Sequence, residues 1–191
     1  MSSLSPGALT PEVVSQEGNA MVLSMGPQHP STHGVLQLML EIDGETVIKI
    51  EPEIGYLHTG IEKSAENLFW SQAQTVIERM DYLAPSINAL CYSLAAERLL
   101  GITDRIPARA SRIRVLNSEL TRIASHCVWL GTHAIDMGAI SVFFYCFDLR
   151  ENILDLQVAG GGGARMHPNF IRVGGVHEDL PDGYLEKVDA L

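Results

Sequence analysis

The sequence predicts an α+β fold in which a small N-terminal antiparallel β-sheet is followed by a helical bundle. Between residues 36 and 50, apolar residues recur at every second position on both sides of Asp43-Gly44, a pattern typical of a β-hairpin. From residue 111 onward, apolar residues recur at steps of three and four, which indicates a long helix packed against another helix. With 191 residues, 46% of them hydrophobic, the chain is long enough to bury a core.

The N-terminal region predicts a tail, a short strand and then the hairpin. Residues 1–17 are rich in Ser, Pro and acidic residues and predict a loose tail. Met21 to Met25 predict a short strand that leads into a loop. In the hairpin, Asp43-Gly44 is the predicted two-residue turn. Each strand has a set of residues that share one face: Leu36, Leu38, Leu40 and Ile42 on the first, and Thr46, Ile48 and Ile50 on the second.

Two helices are predicted before residue 102. Thr59 and Glu62 have the spacing of a capping box, which predicts a helix that begins near Gly60 and turns Ile61, Ala65 and Leu68 inward. The next helix is expected to begin at Pro85 or Ser86 and to end at Gly101. The apolar residues of its expected buried face are Ile87, Leu90, Leu94 and Leu99.

The longest predicted helix runs from about Ser111 to Leu130, and another follows from about Ile140 to Leu156. The apolar seam of the longest helix consists of Ile113, Leu116, Leu120, Ile123, Cys127 and Leu130. The glycines at 160–163 end the helical part. Beyond them, residues 171–175 predict a short strand or tight loop, and residues 180–191 predict the start of another helix.

These elements divide the chain into four predicted regions. We expect a flexible tail at 1–20, a hairpin-containing region with a functional loop at 21–58, and a helical bundle at 59–158. Residues 159–191 are expected to form a glycine-rich break and the start of a truncated C-terminal region.

The charge and hydropathy patterns exclude several classes of function. The formal net charge of −10 argues against nucleic acid as a partner. The apolar stretch from Ile123 to Phe147 is interrupted by Asp136, which favours buried helix over a membrane span. Because the first residues lack the basic and apolar segments of a signal peptide and the arginines of a mitochondrial presequence, the cytoplasm is the expected compartment.

No metal-ligand set or phosphate-binding motif is evident in the sequence. Cys91, Cys127 and Cys146 are widely spaced and form no Cys-x-x-Cys pair, so we expect structural thiols and no metal or cluster held by this chain alone. His126 and His133 would lie about 10 Å apart along a helix axis, too far to share an ion. His133 and Asp136 are three residues apart and could pair or share a ligand if the helix continues past Gly131. The glycine run lacks the spacing of a nucleotide-binding loop.

Two segments carry residues suited to ligand binding. His29 and His33 lie in a loop bounded by glycines and stiffened by two prolines, where they either bind a ligand or hydrogen-bond the turn. Arg79, Asp81 and Tyr82 place a cation, a carboxylate and a phenol at an irregular junction before Pro85. The alternative there is an ion pair that caps a helix beside a half-buried tyrosine.

Five motifs in one order carry a family resemblance. They are GPQHPSTHG at 26–34, GYLHTGIEK at 55–63, RMDY at 79–82, NSEL at 117–120 and RMHPN at 165–169. This series closely resembles the quinone-site D subunit (49-kDa subunit) family of respiratory complex I, the NADH:quinone oxidoreductase, over about residues 21–191. The family is related to the large subunit of nickel–iron hydrogenases, so a related fold is implied. Because RMDY stands near where the first nickel-binding Cys-x-x-Cys pair would be, hydrogenase activity is not expected.

The resemblance implies roles for particular residues. His33 and Tyr82 match residues that hydrogen-bond the quinone headgroup, and Asp136 matches the carboxylate that pairs with that histidine. Arg79 and His167 match residues beside the terminal tetranuclear iron–sulfur cluster, whose cysteines the B subunit supplies. The chain itself is expected to hold no metal.

The implied function is quinone reduction by electrons from NADH, coupled to proton translocation, at a cavity formed with the iron–sulfur B subunit. Expected partners are the B subunit, the C subunit and the membrane-arm subunit that lines the quinone channel, with NAD and iron–sulfur clusters on partner subunits. The expected location is peripheral, on the cytoplasmic side of a bacterial inner membrane, or alternatively on the matrix side of the mitochondrial inner membrane.

Length leaves a second interpretation open. Family members are about twice as long, so we expect a fragment, an edited gene product or a split gene product whose other half is on a second chain. The alternative function is a structural or assembly fragment without a competent quinone site.

Overall fold

The computed structural model describes residues 12–17, 20–29, 35–160, 165 and 169–191. The chain divides into two compact units, Met1–Thr59 and Gly60–Leu191. The first unit contains an antiparallel sheet with the strand order β1-β2-β3-β4, and the second contains helices and a two-stranded hairpin. The α+β class predicted from the sequence, with a small antiparallel sheet before helices, is therefore confirmed.

The sheet consists of four strands that pair in sequence order. Their bounds are β1 Glu12–Glu17, β2 Ala20–Met25, β3 Gln37–Asp43 and β4 Thr46–Glu53. The short strand predicted at Met21 to Met25 is confirmed as most of β2. Strand β1 lies within the segment predicted as a loose tail, because its backbone pairs with β2 from Val13↔Leu23 to Glu17↔Ala20. Backbone pairing and adjacent valines outweigh the polar composition on which the tail prediction rested.

The predicted β-hairpin is confirmed, with its turn one residue later than expected. Asp43 pairs with Thr46, so the turn consists of Gly44 and Glu45. Gly44 adopts a left-handed backbone conformation with φ of +59°, which glycine tolerates without strain. A register shift follows the Glu41↔Lys49 pair, and every residue of β4 is exposed.

The second unit contains six helices and a hairpin in its described residues. Their bounds are α1 Ile61–Glu66, α2 Trp70–Ile77, α3 Pro85–Leu100, α4 Ala108–Asp136, α5 Ile140–Ala159, β5 Ile171–Arg172, β6 Gly175–Val176 and α6 Tyr184–Asp189. A 3₁₀ turn at Thr103–Arg105 lies between α3 and α4. Helix α2 was not predicted, whereas the strand at 171 and the helix in 180–191 were expected and are present as β5 and α6.

Helix α1 begins where the sequence predicts, but its N-terminus is capped differently. Gly60 is the capping residue, with a left-handed φ of +67°, and although Thr59 and Glu62 are both described, the helix has no side-chain cap. The helix ends at Glu66, so Leu68 lies beyond it and is 37% exposed. The predicted start is therefore confirmed, and the capping box and the inward position of Leu68 are wrong.

Helix α3 has the predicted bounds and a different buried face. It begins at Pro85 and is closed by Gly101, whose φ of +67° allows the C-terminal cap. The buried residues include Ala89, Ser93 and Glu97, while Leu99 is 88% exposed. Of the predicted apolar face, Leu90 packs against the core as expected, but Ile87, Leu94 and Leu99 are exposed. Small residues and a buried carboxylate lie towards the rest of the unit in their place.

Helix α4 is longer than predicted and continues through Gly131 to Asp136. Ile113, Leu120 and Cys127 of the predicted seam are buried, but Ile123 and Leu130 are exposed. Small residues replace them on the buried stripe, where α4 packs closely against α5. A Cβ atom at Gly131 would lie only 3.3 Å from Phe143 Cδ2. Close approach of the two helices therefore selects small side chains in place of the larger apolar ones.

The apolar stretch from Ile123 to Phe147 is not one buried helix. It spans the end of α4, a break at Met137–Ala139 and the start of α5, and it includes the exposed side chains of Trp129 and Tyr145. Across the ranges that the structure describes, no helix combines the length and hydropathy that crossing a bilayer requires. The prediction of buried helix is therefore correct for only part of the stretch.

The three cysteines are free thiols on three different helices. Cys91 is exposed on α3, while Cys127 and Cys146 are buried on α4 and α5. Burial raises the pKa of the Cys127 thiol. A buried thiol with a raised pKa is unreactive and serves as a small apolar side chain.

Among the described residues of the second unit, two apolar clusters form the core. One joins α4, α5 and α6 and consists of Leu120, Ala124, Ile153, Leu156 and Tyr184. The other joins α3, α4 and the hairpin and consists of Ala89, Ile113, Phe170 and Ile171. The second cluster fixes the backbone at residues 169–171 against the helices, which is important for the candidate site.

A buried ion pair lies next to the second cluster. The side chains of Glu97 and Arg114 are only 1% and 3% exposed, and Arg114 Nη1 donates to Glu97 Oε2 at 3.1 Å. Arg114 also donates to the carbonyl oxygens of Gly175 at 2.9 Å and Arg172 at 2.6 Å, while the Gly174 amide donates to Glu97 at 2.8 Å. The pair therefore links α3 and α4 to both strands of the β5–β6 hairpin.

The environment of Glu97 favours its charged form. Burial alone would raise its pKa, but the hydrogen bond from Arg114, the Gly174 amide and the Arg114 charge together lower it below the ordinary value. Glu97 therefore stabilises the fold fully at pH values above the pKa that it has in the unfolded chain. This stabilisation is lost as the pH falls through the lower pKa that Glu97 has in the folded chain.

We expect Glu97→Gln to destabilise the chain by roughly 3–5 kcal/mol at pH 7, because Arg114 then remains buried without a counter-charge. Below about pH 4.3, the ordinary glutamate pKa, the stability of the variant should also fall less steeply than that of the wild type. Urea unfolding at pH 7 and at a series of pH values from about 5 down to about 3 measures both effects. The control is Glu119→Gln, whose solvent-screened, exposed pair with Arg122 should contribute little to stability. Equal stability of Glu97→Gln and wild type at pH 7 would contradict this prediction.

We also expect Gly160→Ala to destabilise the packing of α6 by about 1–3 kcal/mol, because overpacked sites force neighbours to move. The new Cβ would lie 2.6 Å from Cε2 of the buried Tyr184 ring, although the backbone φ of −83° suits alanine. Thermal unfolding measures the loss. A double variant with Tyr184→Leu should lose less than the sum of the single changes, and strict additivity would rule out the steric explanation.

Candidate functional site

The structure describes three of the five residues expected at the site. Arg79 and Tyr82 lie on the connection between α2 and α3, and Asp136 is the last residue of α4. His33 and His167 lie outside the described residues. The structure thus places Arg79 and Tyr82 on one turn and Asp136 on a separate element of the same unit.

The α2–α3 turn is held by its own backbone hydrogen bonds. The Met80 amide donates to the Ile77 carbonyl and the Ala84 amide to the Asp81 carbonyl, both at 3.1 Å. The Asp81 carboxylate accepts the Leu83 amide at 3.1 Å. These bonds satisfy backbone groups of the turn internally. The Tyr82 side chain is 63% exposed on it.

Arg79 and Asp81 each bond to the backbone, and not to each other. The Arg79 guanidinium donates to the Thr75 carbonyl, one turn back in α2, while the Asp81 carboxylate serves the turn. The alternative of a helix-capping ion pair beside a half-buried tyrosine is therefore not what the structure shows. The exposed guanidinium retains donor groups and its full charge for a ligand or a partner protein.

Asp136 ends a helix that carries a row of rings. The Trp129 ring stacks on the His133 imidazole with a centroid separation of 6.5 Å and an interplanar angle of 22°, and it meets His126 edge-on at 6.3 Å. Because α4 continues past Gly131, the helical spacing proposed for His133 and Asp136 is realised. Within the described ranges, no group of three or more His, Cys, Asp or Glu side chains is placed to hold a metal ion.

Glu78 is a neighbour of the site that sequence reasoning missed. Its side chain is 1% exposed, and its Oε2 accepts the backbone amide of Asn169 at 3.3 Å. Burial raises its pKa, an effect that the Asn169 amide, Gln74, Arg79 and Arg172 oppose. The available signal was the four-residue spacing of Gln74 and Glu78, which places both on one face of a helix.

A separate groove lies between the first part of α4 and the start of α6. It has a volume of about 580 Å³ and is lined by residues of 109–116 on α4 and of 180–186 around the start of α6. Its charged residues are of both signs, Arg109 and Arg112 facing Asp182 and Glu186. The groove does not include the α2–α3 turn and contributes nothing to the candidate site.

The α2–α3 turn can provide two kinds of interaction at the surface. The exposed phenol of Tyr82 can donate a hydrogen bond, and later a proton, to an oxygen atom of a ligand. The Arg79 guanidinium can stabilise negative charge on a neighbouring group. A phenol and a cation three residues apart on one ordered turn suit a reaction that builds up negative charge and consumes protons.

Comparison with known proteins gives the family. A family model described as the 49 kDa subunit of respiratory-chain NADH dehydrogenase matches residues 136–191. Similar proteins include a D subunit of NADH-quinone oxidoreductase from Koribacter versatilis, which is 55% identical over 94% of this chain, and one from Chloroflexus aurantiacus, 51% identical over 96%. The D subunit of a Nitratiruptor species is 49% identical over 93% of the chain.

The chain spans somewhat less than half the length of these curated relatives, 44% of the first two and 43% of the third. The aligned regions nevertheless cover 94% and 96% of the residues present here. The chain therefore belongs to the family of the D subunit, or 49 kDa subunit, of NADH-quinone oxidoreductases.

Proposed function

We propose that the chain is part of the quinone-site subunit of a proton-translocating NADH:quinone oxidoreductase. In this role it forms, with an iron–sulfur B subunit, the cavity in which electrons from NADH reduce a quinone such as ubiquinone or menaquinone. The observation that carries the proposal is the exposed Arg79–Tyr82 turn in a chain that is 51–55% identical to subunits named for this activity.

Quinone reduction requires the chemistry that the expected headgroup ligands can supply. A quinone takes up two electrons and two protons, and its two carbonyl oxygens become hydroxyl groups. Tyr82 and His33 are proposed to bind these oxygens, where a phenol and an imidazolium donate hydrogen bonds and then the two protons. Tyr82 has the exposure this role needs, because its phenol lies outside the hydrogen bonds that hold its turn.

Asp136 is proposed to favour the imidazolium form of His33 through its negative charge. When His33 gives its proton to the quinone, the carboxylate loses its positive partner. We propose that this change in local charge is the electrostatic event that couples quinone reduction to distant proton translocation. A His33→Ala variant that kept full quinone reduction and full translocation would remove this role.

Arg79 and His167 are proposed to lie beside the terminal tetranuclear iron–sulfur cluster, which the B subunit holds with its own cysteines and which supplies the electrons. The Arg79 guanidinium is exposed and donates to the Thr75 backbone carbonyl, and its positive charge also acts on the adjacent Glu78 carboxyl. Such a cation stabilises the reduced, more negative cluster and raises its reduction potential.

The proposed assembly places the chain peripherally on a membrane-bound complex. Its partners would be the B subunit, the C subunit, the membrane-arm subunit that lines the quinone channel and, if a split gene encodes the subunit, a second chain with the remaining half. We propose the cytoplasmic side of the bacterial inner membrane as the location, with the matrix side of the mitochondrial inner membrane as the alternative. The absence of a spanning helix in the described part of the chain is compatible with this placement.

We expect Tyr82→Phe, in membranes that carry the complex, to lower inhibitor-sensitive NADH:quinone reductase activity by about 10²-fold, because a general-acid group typically contributes 10²- to 10⁴-fold. The NADH:ferricyanide rate, which bypasses the quinone site, should stay unchanged. Tyr145→Phe is the matched control, since this phenol is 76% exposed and lies on α5 instead of the α2–α3 turn. Unchanged quinone reduction in Tyr82→Phe would instead favour a structural or assembly role for the chain.

We expect Arg79→Ala to lower the reduction potential of the terminal cluster by on the order of 40 mV, the equivalent of about 1 kcal/mol for one electron. Arg79→Lys should retain part of the effect because it keeps the charge. Redox titration followed by electron paramagnetic resonance measures the potential, and Arg122→Ala, at an exposed pair with Glu119, serves as the control. If Arg79→Ala and Arg122→Ala gave the wild-type potential alike, Arg79 would have no role at the cluster.

A further inference from the structure

The strongest unassigned feature is a buried carboxyl group directly before Arg79. Glu78 closes the C-terminus of α2 and is 1% exposed, although glutamate side chains are rarely buried without a specific partner. Its Oε2 accepts the amide of Asn169, a residue 91 positions later in the chain. A buried carboxyl that bonds a distant backbone amide fixes two segments relative to each other.

A second side chain of the same helix face repeats this kind of contact. The Gln74 side chain is 3% exposed and donates to the carbonyl of Ile171. Gln74 also favours the charged form of the nearby Glu78 carboxyl, lowering its pKa against the effect of burial. We call this arrangement the α2 clip: Gln74 and Glu78 bound to the backbone of Asn169 and Ile171.

The residue between the two clipped positions anchors the segment in the core. Phe170 is fully buried and packs with Ile171, Ala89 and Ile113. Apolar packing and two side-chain-to-backbone contacts therefore act on three consecutive residues. The relative position of α2 and this backbone is thus determined by several independent interactions.

Asn169 has a backbone conformation that needs such support. Its φ of +45° lies in the left-handed region, and among the described residues it is the only non-glycine residue with a positive φ. Asparagine tolerates this region better than most residues, yet the conformation is sparsely populated. It persists where surrounding contacts hold it, and the bond from its amide to Glu78 is one of these contacts.

From this arrangement we infer that Glu78 is a positioning residue of the quinone and cluster site: through the α2 clip it holds the turn that carries Arg79 and Tyr82 in a fixed place against the Asn169–Ile171 backbone. The inference rests on the function proposed above. Arg79 follows Glu78 directly and Tyr82 is three residues further, so a shift at Glu78 is transmitted to both over little more than one helical turn of chain.

The charge state of Glu78 suggests which substitution preserves the clip. Its Oε1 is buried and has no hydrogen-bond partner among the described residues. Burial raises the pKa of Glu78, and this effect outweighs the opposing influence of the Asn169 amide, Gln74, Arg79 and Arg172. A glutamine at this position keeps the length and the acceptor oxygen without the charge. It should therefore keep the bond to Asn169, whereas alanine removes it.

The test compares Glu78→Ala and Glu78→Gln in membranes that carry the complete complex. We expect Glu78→Ala to lower kcat/KM for quinone about tenfold and to shift the reduction potential or the electron paramagnetic resonance spectrum of the terminal cluster. The NADH:ferricyanide rate should be unchanged. Glu78→Gln should restore quinone kinetics to within about twofold of wild type and restore the cluster signal, because the clip remains.

A matched control separates positioning from general loss of stability. Thr121→Val removes the 2.8 Å bond from buried Gln157, which joins α4 and α5 away from the clip. It should destabilise the fold to a similar extent and leave the quinone kinetics and the cluster signal unchanged. If the Glu78→Ala complex does not accumulate, Gln74→Ala removes the other half of the clip and is expected to give the same shifts.

The outcomes distinguish this inference from the proposed function. The role of Glu78 would be overturned if Glu78→Ala kept wild-type quinone kinetics and a wild-type cluster signal. Equal effects of Glu78→Ala and Thr121→Val would overturn it as well. In either case, Tyr82→Phe would still test the quinone site. Failure of Glu78→Gln to rescue would also overturn the role of Glu78, since the hydrogen bond would then not be the cause. An unchanged quinone rate in Tyr82→Phe would remove the proposed function itself.

Discussion

The buried pair of Glu97 and Arg114 is the interaction on which the arrangement of the second unit depends. Charges removed from water are costly unless they are paired and their remaining donors and acceptors are bonded, and here the β5–β6 hairpin provides those bonds through Arg172, Gly174 and Gly175. The hairpin is too short to be stable alone, so its place is set by the pair and by the apolar cluster around Phe170. The backbone that α2 contacts is thereby fixed as well.

Local signals made part of the fold predictable from sequence. The turn at Gly44, the helix end at Gly101 and the helix start at Pro85 depend on a few adjacent residues, and all three were located to within one residue. The buried faces were less predictable. Helix α3 buries Glu97 in place of Leu99 because the partner is a guanidinium on another helix, which local periodicity does not reveal.

The candidate site also has residues that the sequence made predictable and residues that it did not. Arg79 and Tyr82 belong to a short motif, and the expectation that they lie at a junction before Pro85 agrees with the turn that the structure describes. Glu78 and Gln74 have no comparable signature, because their importance arises from a backbone segment more than ninety residues away. Motifs thus identify candidate ligand-binding side chains, whereas buried polar groups that bond a distant backbone become evident only from tertiary contacts.

Strand β4 has a consequence for the solution behaviour of the sheet. It is an edge strand, and the apolar side chains of Val47, Ile48 and Ile50 are each at least half exposed on it. Exposed apolar edge strands are templates for pairing between separate molecules, which leads to aggregation. Strand β4 also contains Lys49, an irregular register and Pro52, which lacks an amide donor, and each of these opposes the addition of a further strand. The edge thus carries its own protection against intermolecular β-sheet growth.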